Sequence, residues 1–265
     1  MRFASLGSGS EGNGLVVTST DGLSTTTVLI DCGFGLKAAR ARLAALQVDP
    51  DSIDAILVTH EHSDHIGGVF RLAAAHRIPV WLTHGTRQAC LHRAIHARTA
   101  PVQEHEVLAD VVITIGGLSI SPVPVPHDAR EPVQYIVDDG RVRLGALTDL
   151  GHGTAHVVRS FSGLDALLLE CNHDPAMLAG NDRYPPSLKR RISGPFGHLS
   201  NDAAGDILAQ LDRSRLRFLA AAHLSAHNNT PDLARQALAR SGEASISDIH
   251  VVDQREGLHW TQLPG

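Results

Sequence analysis

The sequence predicts an α/β fold in which two mixed sheets, covered by helices, form one domain over residues 1–265. Apolar runs of strand length alternate with helical patterns along the whole chain, uninterrupted by any internal repeat, low-complexity tract or long linker. With 265 residues, 43% hydrophobic and 19% charged, the chain has ordinary globular composition and can bury a large core. Several of its 17 histidines stand directly after apolar runs, where strands end.

The elements follow in order. Residues 2–6, 15–19 and 26–31 are short β-like runs separated by glycine or polar turns. The loop Gly7-Ser8-Gly9-Ser10-Glu11-Gly12-Asn13-Gly14 lacks the lysine of a P-loop, so it reads as a hairpin connection rather than a nucleotide cradle. Residues 36–46 carry an apolar helical face, and 55–59 form the next strand. A helix over 69–76, a strand over 80–83 and a helix over 86–98 come next. Two strands within 111–125 break at Gly116-Gly117, and 134–137 with 142–148 make a hairpin around Asp139-Gly140. Helices over 155–161, 200–211 and 232–240 and strands over 166–169, 218–222 and 249–252 complete the pattern.

The densest chemistry lies in His60-Glu61-His62-Ser63-Asp64-His65, directly after the apolar run Ala55-Ile56-Leu57-Val58. His60 and His62 have the period-two spacing that places them on one side of an extended segment. Asp64 and His65 follow in a tight turn, and Gly67-Gly68 permits close backbone approach. One such segment can serve two adjacent cations, whereas the alternative is a solvated loop in a histidine-rich chain. Two cations about 3.5–4 Å apart need roughly six or seven protein ligands. His127 after a β-rich run, Asp149 before a glycine turn and His223 after Leu219-Ala220-Ala221-Ala222 are strand-end candidates for the remainder. Each alone has a structural reading; together, after the hexad, they read as a ligand set.

These residues in this order resemble the metallo-β-lactamase fold, a four-layer αββα sandwich with a dinuclear site at one edge. The resemblance spans nearly the whole chain and is most specific for the YycJ-like branch, which is linked to cytoplasmic nucleases. Leu6-Gly7-Ser8-Gly9-Ser10, Asp31-Cys32-Gly33, Thr148-Asp149, Glu170-Cys171-Asn172-His173-Asp174, Arg183-Tyr184-Pro185, Leu188-Lys189-Arg190-Arg191-Ile192, Gly197-His198-Leu199-Ser200-Asn201 and His223-Leu224-Ser225 carry it as an ordered set. The resemblance implies that His60, His62 and His127 hold one metal, that Asp64, His65 and His223 hold the other, and that Asp149 bridges them. Imidazole and carboxylate suit Zn²⁺ or Mn²⁺. Water bridging two such cations becomes hydroxide near neutral pH. Related phosphodiesterases use a histidine in the position of His198 to protonate the leaving oxygen, and Glu170 would orient it. Helix capping by Ser200 and Asn201 beside a spectator histidine is the plainer reading of that segment. The sequence departs from related ones at Gln134, where a glycine usually precedes the tyrosine, and at Leu150, where a threonine commonly follows the aspartate.

Four cations fall within nine residues at Arg183 and Lys189-Arg190-Arg191, in a chain of net charge −5. They are either a solvated helix face or contacts to a phosphate backbone, and Ser225 with Asn228-Asn229 after His223 are either phosphate contacts or a polar loop. His152, His173 and His227 lie beside site residues in sequence and are candidates to support the ligands, while the remaining histidines, His96 among them, read as surface or packing residues. The expectation is thus a dinuclear metal-dependent phosphodiester hydrolase, a DNA exonuclease of 5′ to 3′ polarity by the resemblance. A small-molecule hydrolase (a cyclic phosphodiesterase or lactonase) with the same metals is the alternative, and a non-enzymatic scaffold a third reading. No run of about 18 apolar residues suggests a membrane span. The start of the chain lacks the apolar stretch of a signal peptide, and three widely spaced cysteines fit reduced thiols, so the expected location is cytoplasmic.

Overall fold

Side-chain alternation along the strands sorts the apolar residues into three buried groups, and these become the seams between four layers. The computed structural model describes residues 1–92, 101–240 and 245–264. The strands of the first sheet are β1 (Arg2–Gly7), β2 (Gly14–Thr20), β3 (Thr25–Ile30), β4 (Ala55–Leu57), β5 (Val80–Thr83) and β6 (Glu104–Val107). The second sheet is built from β7 (Ile113–Ile115), β8 (Leu118–Pro124), β9 (Val133–Asp138), β10 (Arg143–Leu147), β11 (Ala166–Glu170), β12 (Phe218–Ala222) and β13 (Ile249–Val251). Strand β14 (Leu258–Gln262) returns to the first sheet, giving the orders β14-β1-β2-β3-β4-β5-β6 and β13-β12-β11-β10-β9-β8-β7. Both sheets have the same construction. From β14 to β3 the pairings are antiparallel and from β3 to β6 parallel. In the second sheet β7 to β10 are antiparallel and β10 to β13 parallel.

Val28, Ile30, Ala55 and Leu57 of the first sheet face Tyr135, Val137, Ala166 and Leu168 of the second across the central core. The residues between them turn outward: Leu29 and Ile56 meet one helical layer, Leu167 and Leu169 the other. Burial on both faces is why these parallel strands read as continuous apolar runs. Helices α1 (Leu36–Ala45), α2 (Ser63–Ile66), α3 (Val69–His76) and α4 (His84–His92) lie on the first sheet's side, with Ala39, Leu43, Ile66, Leu72 and Cys90 in its outer core. On the other side run α5 (Ala155–Ser160), α8 (Asn201–Gln210) and α9 (Pro231–Arg240), with α6 (Pro175–Gly180) and α7 (Pro186–Ile192) in the connection from β11 to α8. Val157, Ile207, Leu208 and Leu238 anchor α5, α8 and α9. Among the described residues no helix is long and apolar enough to cross a membrane.

This is the αββα sandwich expected from the sequence, with local differences. Strand β4 stops at Leu57, two residues short of expectation, because the Thr59 amide turns to the Asp31 carboxylate at 2.9 Å. The turn holding Asp64 and His65 is the single helical turn α2. The helix expected over 86–98 is seen as α4; positions 93–98, with His96, lie outside the described residues. Strands β6 and β14 escaped the sequence reading. They are the two edges of the first sheet, where a strand needs little apolar character, and their sequences EHEV and LHWTQ are correspondingly polar.

Candidate metal centre

The candidate ligands meet because six strands release their chains toward one edge of the sandwich. Asp31 follows β3, His60 lies three residues beyond β4, His127 three beyond β8, Asp149 two beyond β10 and His223 directly after β12, while Glu170 ends β11. Asp31, Asp149 and His223 have φ of 60°, 53° and 55°, a left-handed backbone that costs a non-glycine residue about 1–3 kcal/mol. Placed at a strand end, that conformation breaks the strand alternation and re-aims the side chain. The hexad is locked from both sides: the Cys32 amide donates to the His65 carbonyl at 2.8 Å and the Asn13 amide to the Asp64 carbonyl at 2.8 Å. A Cβ on Gly33 would lie 1.9 Å from the Asp64 carbonyl oxygen and one on Gly68 1.8 Å from that of Phe34, so only glycine permits this approach.

The donor atoms fall into overlapping clusters. Those of His60, His62 and His127 lie within 4.8 Å of one another, as do those of Asp64, His65 and His223. Asp149 groups with His60 and His65 on one side and with His223, Glu170 and His198 on the other, so it stands between the clusters. Outer partners fix each ring. His65 Nδ1 donates to Asp31 Oδ2 at 2.8 Å, His127 Nδ1 to the Gly197 carbonyl at 3.0 Å and His223 Nδ1 to Glu170 Oε1 at 3.1 Å. Thr59 Oγ1 donates to Asp31 at 2.7 Å and is thereby left to accept from His60 Nδ1 at 2.9 Å. The second ring nitrogens are thus left for the centre. Asp149 Oδ2 faces His65 Nε2 at 3.1 Å and His223 Nε2 faces Asp64 Oδ2 at 3.5 Å within the centre itself, while His60 Nε2 is buried without a hydrogen-bond partner. Buried polar atoms of this kind are rare unless something else binds them. Convergent imidazole and carboxylate donors with outer-shell acceptors fit divalent cations. No thiolate takes part, since Cys32, Cys90 and Cys171 fall outside the clusters.

Electrostatics point the same way. Burial by itself would raise the Asp149 and Asp64 carboxyls, but the surrounding imidazoles hold both below the usual carboxylate range. Burial would lower His223, yet Asp149, Asp64 and Glu170 push it up to about 10, and Asp149 with Asp31 likewise raises His65. Ionised carboxylates buried at this density demand positive charge, which protons on His65 and His223 or a cation can supply. Cation binding displaces those protons.

Glu170 is the hub beside the centre. Its Oε2 accepts from the Leu150 and Leu199 amides at 2.8 and 3.2 Å, and its Oε1 accepts from His198 Nδ1 at 2.8 Å. Burial opposes protonation of His198, and the Glu170 carboxylate overrides it, raising the ring above its ordinary pKa. The Ser200 hydroxyl caps α8 through the Ala203 amide at 3.2 Å, so capping coexists with a His198 engaged by Glu170. A cleft of about 1030 Å³ opens over these groups, walled by Ile66, Phe70 and Arg71 on one side and Tyr184, Leu188 and Arg191 on another.

The structure divides the expected substrate contacts. Arg191 and Ser225 line the cleft. Lys189 and Arg190 are not in its wall, and Lys189 Nζ donates instead to the Ala179 carbonyl at 2.6 Å. Asn229 is also misplaced by the sequence reading: it is buried and braces Cys171 and Asn201, a packing role. Of the histidines beside the site, His152 donates to the Pro195 carbonyl, His173 bridges to Ser200 and His227 lies at the Tyr184 ring; these contacts do not reach the ligands. Asp31, part of one string of the resemblance but given no role there, follows an apolar strand as Asp149 does. Asp128, which accepts from Arg191 Nε at 2.5 Å and lies 3.6 Å from both His62 and His127, carried no separate signal.

The Beta-lactamase superfamily domain matches residues 26–219. The chain belongs to the metallo-β-lactamase superfamily of hydrolases. Within it, the chain is 34% identical to Exodeoxyribonuclease YycJ of Bacillus anthracis over 261 residues, covering 96% of each. It is 31% identical to Exodeoxyribonuclease WalJ of Streptococcus pneumoniae over 239 residues, 89% of this chain and 86% of that one. Solved structures share the fold at lower identity. The metallo-beta-lactamase fold protein YhfI of Bacillus subtilis superposes with TM-score 0.74 at 18% identity, covering 98% of each chain. Zn²⁺-bound PqqB of Methylobacterium extorquens gives 0.74 at 18%, covering 99% of this chain and all of that one.

Proposed function

We propose that this chain, as one hydrolase domain over residues 1–265, is a two-metal phosphodiesterase that degrades DNA as a 5′ to 3′ exonuclease. The observation that carries the reading is the convergence of seven buried or half-buried imidazole and carboxylate donors on one another, beneath an open cleft lined by arginines. The names of the YycJ and WalJ relatives support DNA as substrate, and the polarity rests on that resemblance. Its three free, buried cysteines are consistent with a cytoplasmic setting.

In this reading His60, His62 and His127 hold one cation, Asp64, His65 and His223 the other, and Asp149 is shared. When bound, the divalent cations, Zn²⁺ or Mn²⁺ by donor chemistry, supply positive charge to the phosphate oxygens and activate water for attack. The chain's own residues do the rest. Asp31, Gly197 and Glu170 hold the rings of His65, His127 and His223 in the ligating orientation. His198, anchored through Nδ1 by Glu170, offers Nε2 to protonate the leaving oxygen. Arg191 and Ser225 hold phosphate oxygens at the cleft.

The test is cleavage of end-labelled DNA and RNA with Zn²⁺, with Mn²⁺ and with a chelator. Metal-dependent release of nucleotides from the 5′ end of DNA is expected. His62→Ala and Asp149→Ala should abolish it and lower the metal content of a folded protein. Full activity of either variant in metal-scrubbed buffer would overturn the assignment. Hydrolysis of small esters without any action on DNA would favour the small-molecule alternative.

A further inference from the structure

Helix α7 is unusual for a helix over an active site, because none of its residues is buried. Its apolar residues, Leu188 and Ile192, are only half-buried and line the cleft with Arg191, one helical turn apart as i, i+3 and i+4. Tyr184, in the segment just before the helix, lines the same cleft. The helix is held at its ends by polar links: Lys189 to the Ala179 carbonyl, Arg191 to Asp128, and the His198 amide to the Ile192 carbonyl at 2.8 Å. Across the cleft, on α3 of the opposite layer, Phe70 is buried and Arg71 is exposed and makes no ion pair with a described residue. The cleft therefore joins a floor of metal ligands, one cation on each side and an aromatic and aliphatic shelf. Its volume of about 1030 Å³ is that of a pocket for a compact ligand. That is room for a few groups of a strand end and not for a length of duplex, so a paired strand would have to lie outside it.

We propose that α7 and Arg71 clamp a single nucleic-acid strand end, Arg71 and Arg191 taking phosphates on either side of the scissile one while a base stacks on Tyr184 against Leu188. The inference rests on the nuclease reading and deepens it: the substrate of the cleft is a separated strand, and a duplex must fray at its end to be cut. Stacking on an aromatic ring suits every base, so the clamp is indifferent to sequence. Arg71 faces solvent and serves only a ligand in the cleft, whereas Arg191 reaches phosphate from its tether on Asp128.

The experiment uses the metal-loaded full chain, labelled single-stranded and blunt duplex DNA at several salt concentrations, and bis(p-nitrophenyl) phosphate as a diester too small to span the clamp. Single-stranded DNA is expected to be cut at least tenfold faster than blunt duplex. Arg71→Gln should raise KM on DNA and flatten the log–log salt dependence by about one unit, whereas Lys37→Gln, removing an exposed cation on α1, should leave that slope as it is. Tyr184→Ala should raise KM on DNA about tenfold. For both cleft variants the loss on DNA should exceed the loss on the small diester at least tenfold. Equal losses on the two substrates, an unchanged salt slope in Arg71→Gln, or blunt duplex cut as fast as single strand would each overturn the clamp. If the wild type cuts the small diester and no DNA, the nuclease reading itself falls, an outcome distinct from failure of the clamp.

Discussion

At the scale of single residues, Glu170 and Asp31 do similar work at the two ends of the site. Each is a buried carboxylate that accepts from Nδ1 of rings in the candidate metal clusters, Asp31 from His65 and Glu170 from His198 and His223. Outer-shell carboxylates of this kind are worth about 10–100-fold in metal affinity. Asp31→Asn should therefore weaken metal binding by about that factor in a chelator competition titration, with the fold intact. His198→Ala separates chemistry from binding. It should lower turnover by about 10²–10⁴-fold while leaving metal content unchanged, and loss of metal in that variant would make His198 a ligand instead. The hexad was legible in the sequence because its ligand types follow an apolar run without a break. Asp31 follows an apolar run in the same way, but a single carboxylate after a strand is common and carries no ligand signal by itself.

At the scale of elements, α2 depends on its glycine neighbours. Gly33 and Gly68 let the turn after β3 press against the hexad at distances no Cβ allows. Gly33→Ala forces the Asp64 carbonyl away, and such overpacking costs typically 1–3 kcal/mol. The thermal midpoint should fall by roughly 2–4 °C for each kcal/mol in a chain of this size, and metal affinity should fall with it because Asp64 and His65 move. A variant with unchanged midpoint and affinity would show that the turn has more slack than the structure gives it. Helix α7 shows in the sequence only as a basic helix face, since a single pair of apolar residues, Leu188 and Ile192, gives it no buried stripe. Its cations could be seen in the sequence but not sorted. Only the fold turns Arg191 toward the cleft and Lys189 away from it.

Across the whole molecule, the site and the stability of its support lie at opposite ends of the same parallel strands. Asp165 is 3% exposed and stands at the amino ends of β10, β11 and β12. Its carboxylate accepts from the Arg143 amide at 2.9 Å, from Arg215 at 2.9 Å and from Arg217 at 3.1 Å. Burial alone would raise its pKa, but the Arg143 amide and the two guanidiniums hold it below the usual carboxylate value. A depressed folded pKa stabilises above the unfolded value and loses that contribution as pH falls through the folded one. Asp165→Ala should thus cost about 2 kcal/mol near neutrality, and the difference from wild type in denaturant unfolding should shrink in acid below about pH 4. A difference independent of pH would assign the loss to packing. Cations act on the other end. At one hundred times their Kd they add about 2.7 kcal/mol, so chelation should lower the thermal midpoint measurably in the wild type and much less in Asp149→Ala.

The sequence by itself pointed to the sandwich and to seven candidate donors, which the fold gathers into neighbouring clusters. Strands buried on both faces must be apolar throughout, so an abrupt change to histidine or aspartate at their ends is visible without knowing how the strands are ordered. Tertiary structure alone decided which polar groups hold those donors and what walls the cleft. Gly197 beneath His127 and Asp128 between Arg191 and the histidines are pairings across 70 and 63 positions of chain, and Arg71 and Tyr184 come to line one cleft. No local period records them, because they exist only once the two sheets have closed on each other and brought the carboxyl ends of their strands to a common edge.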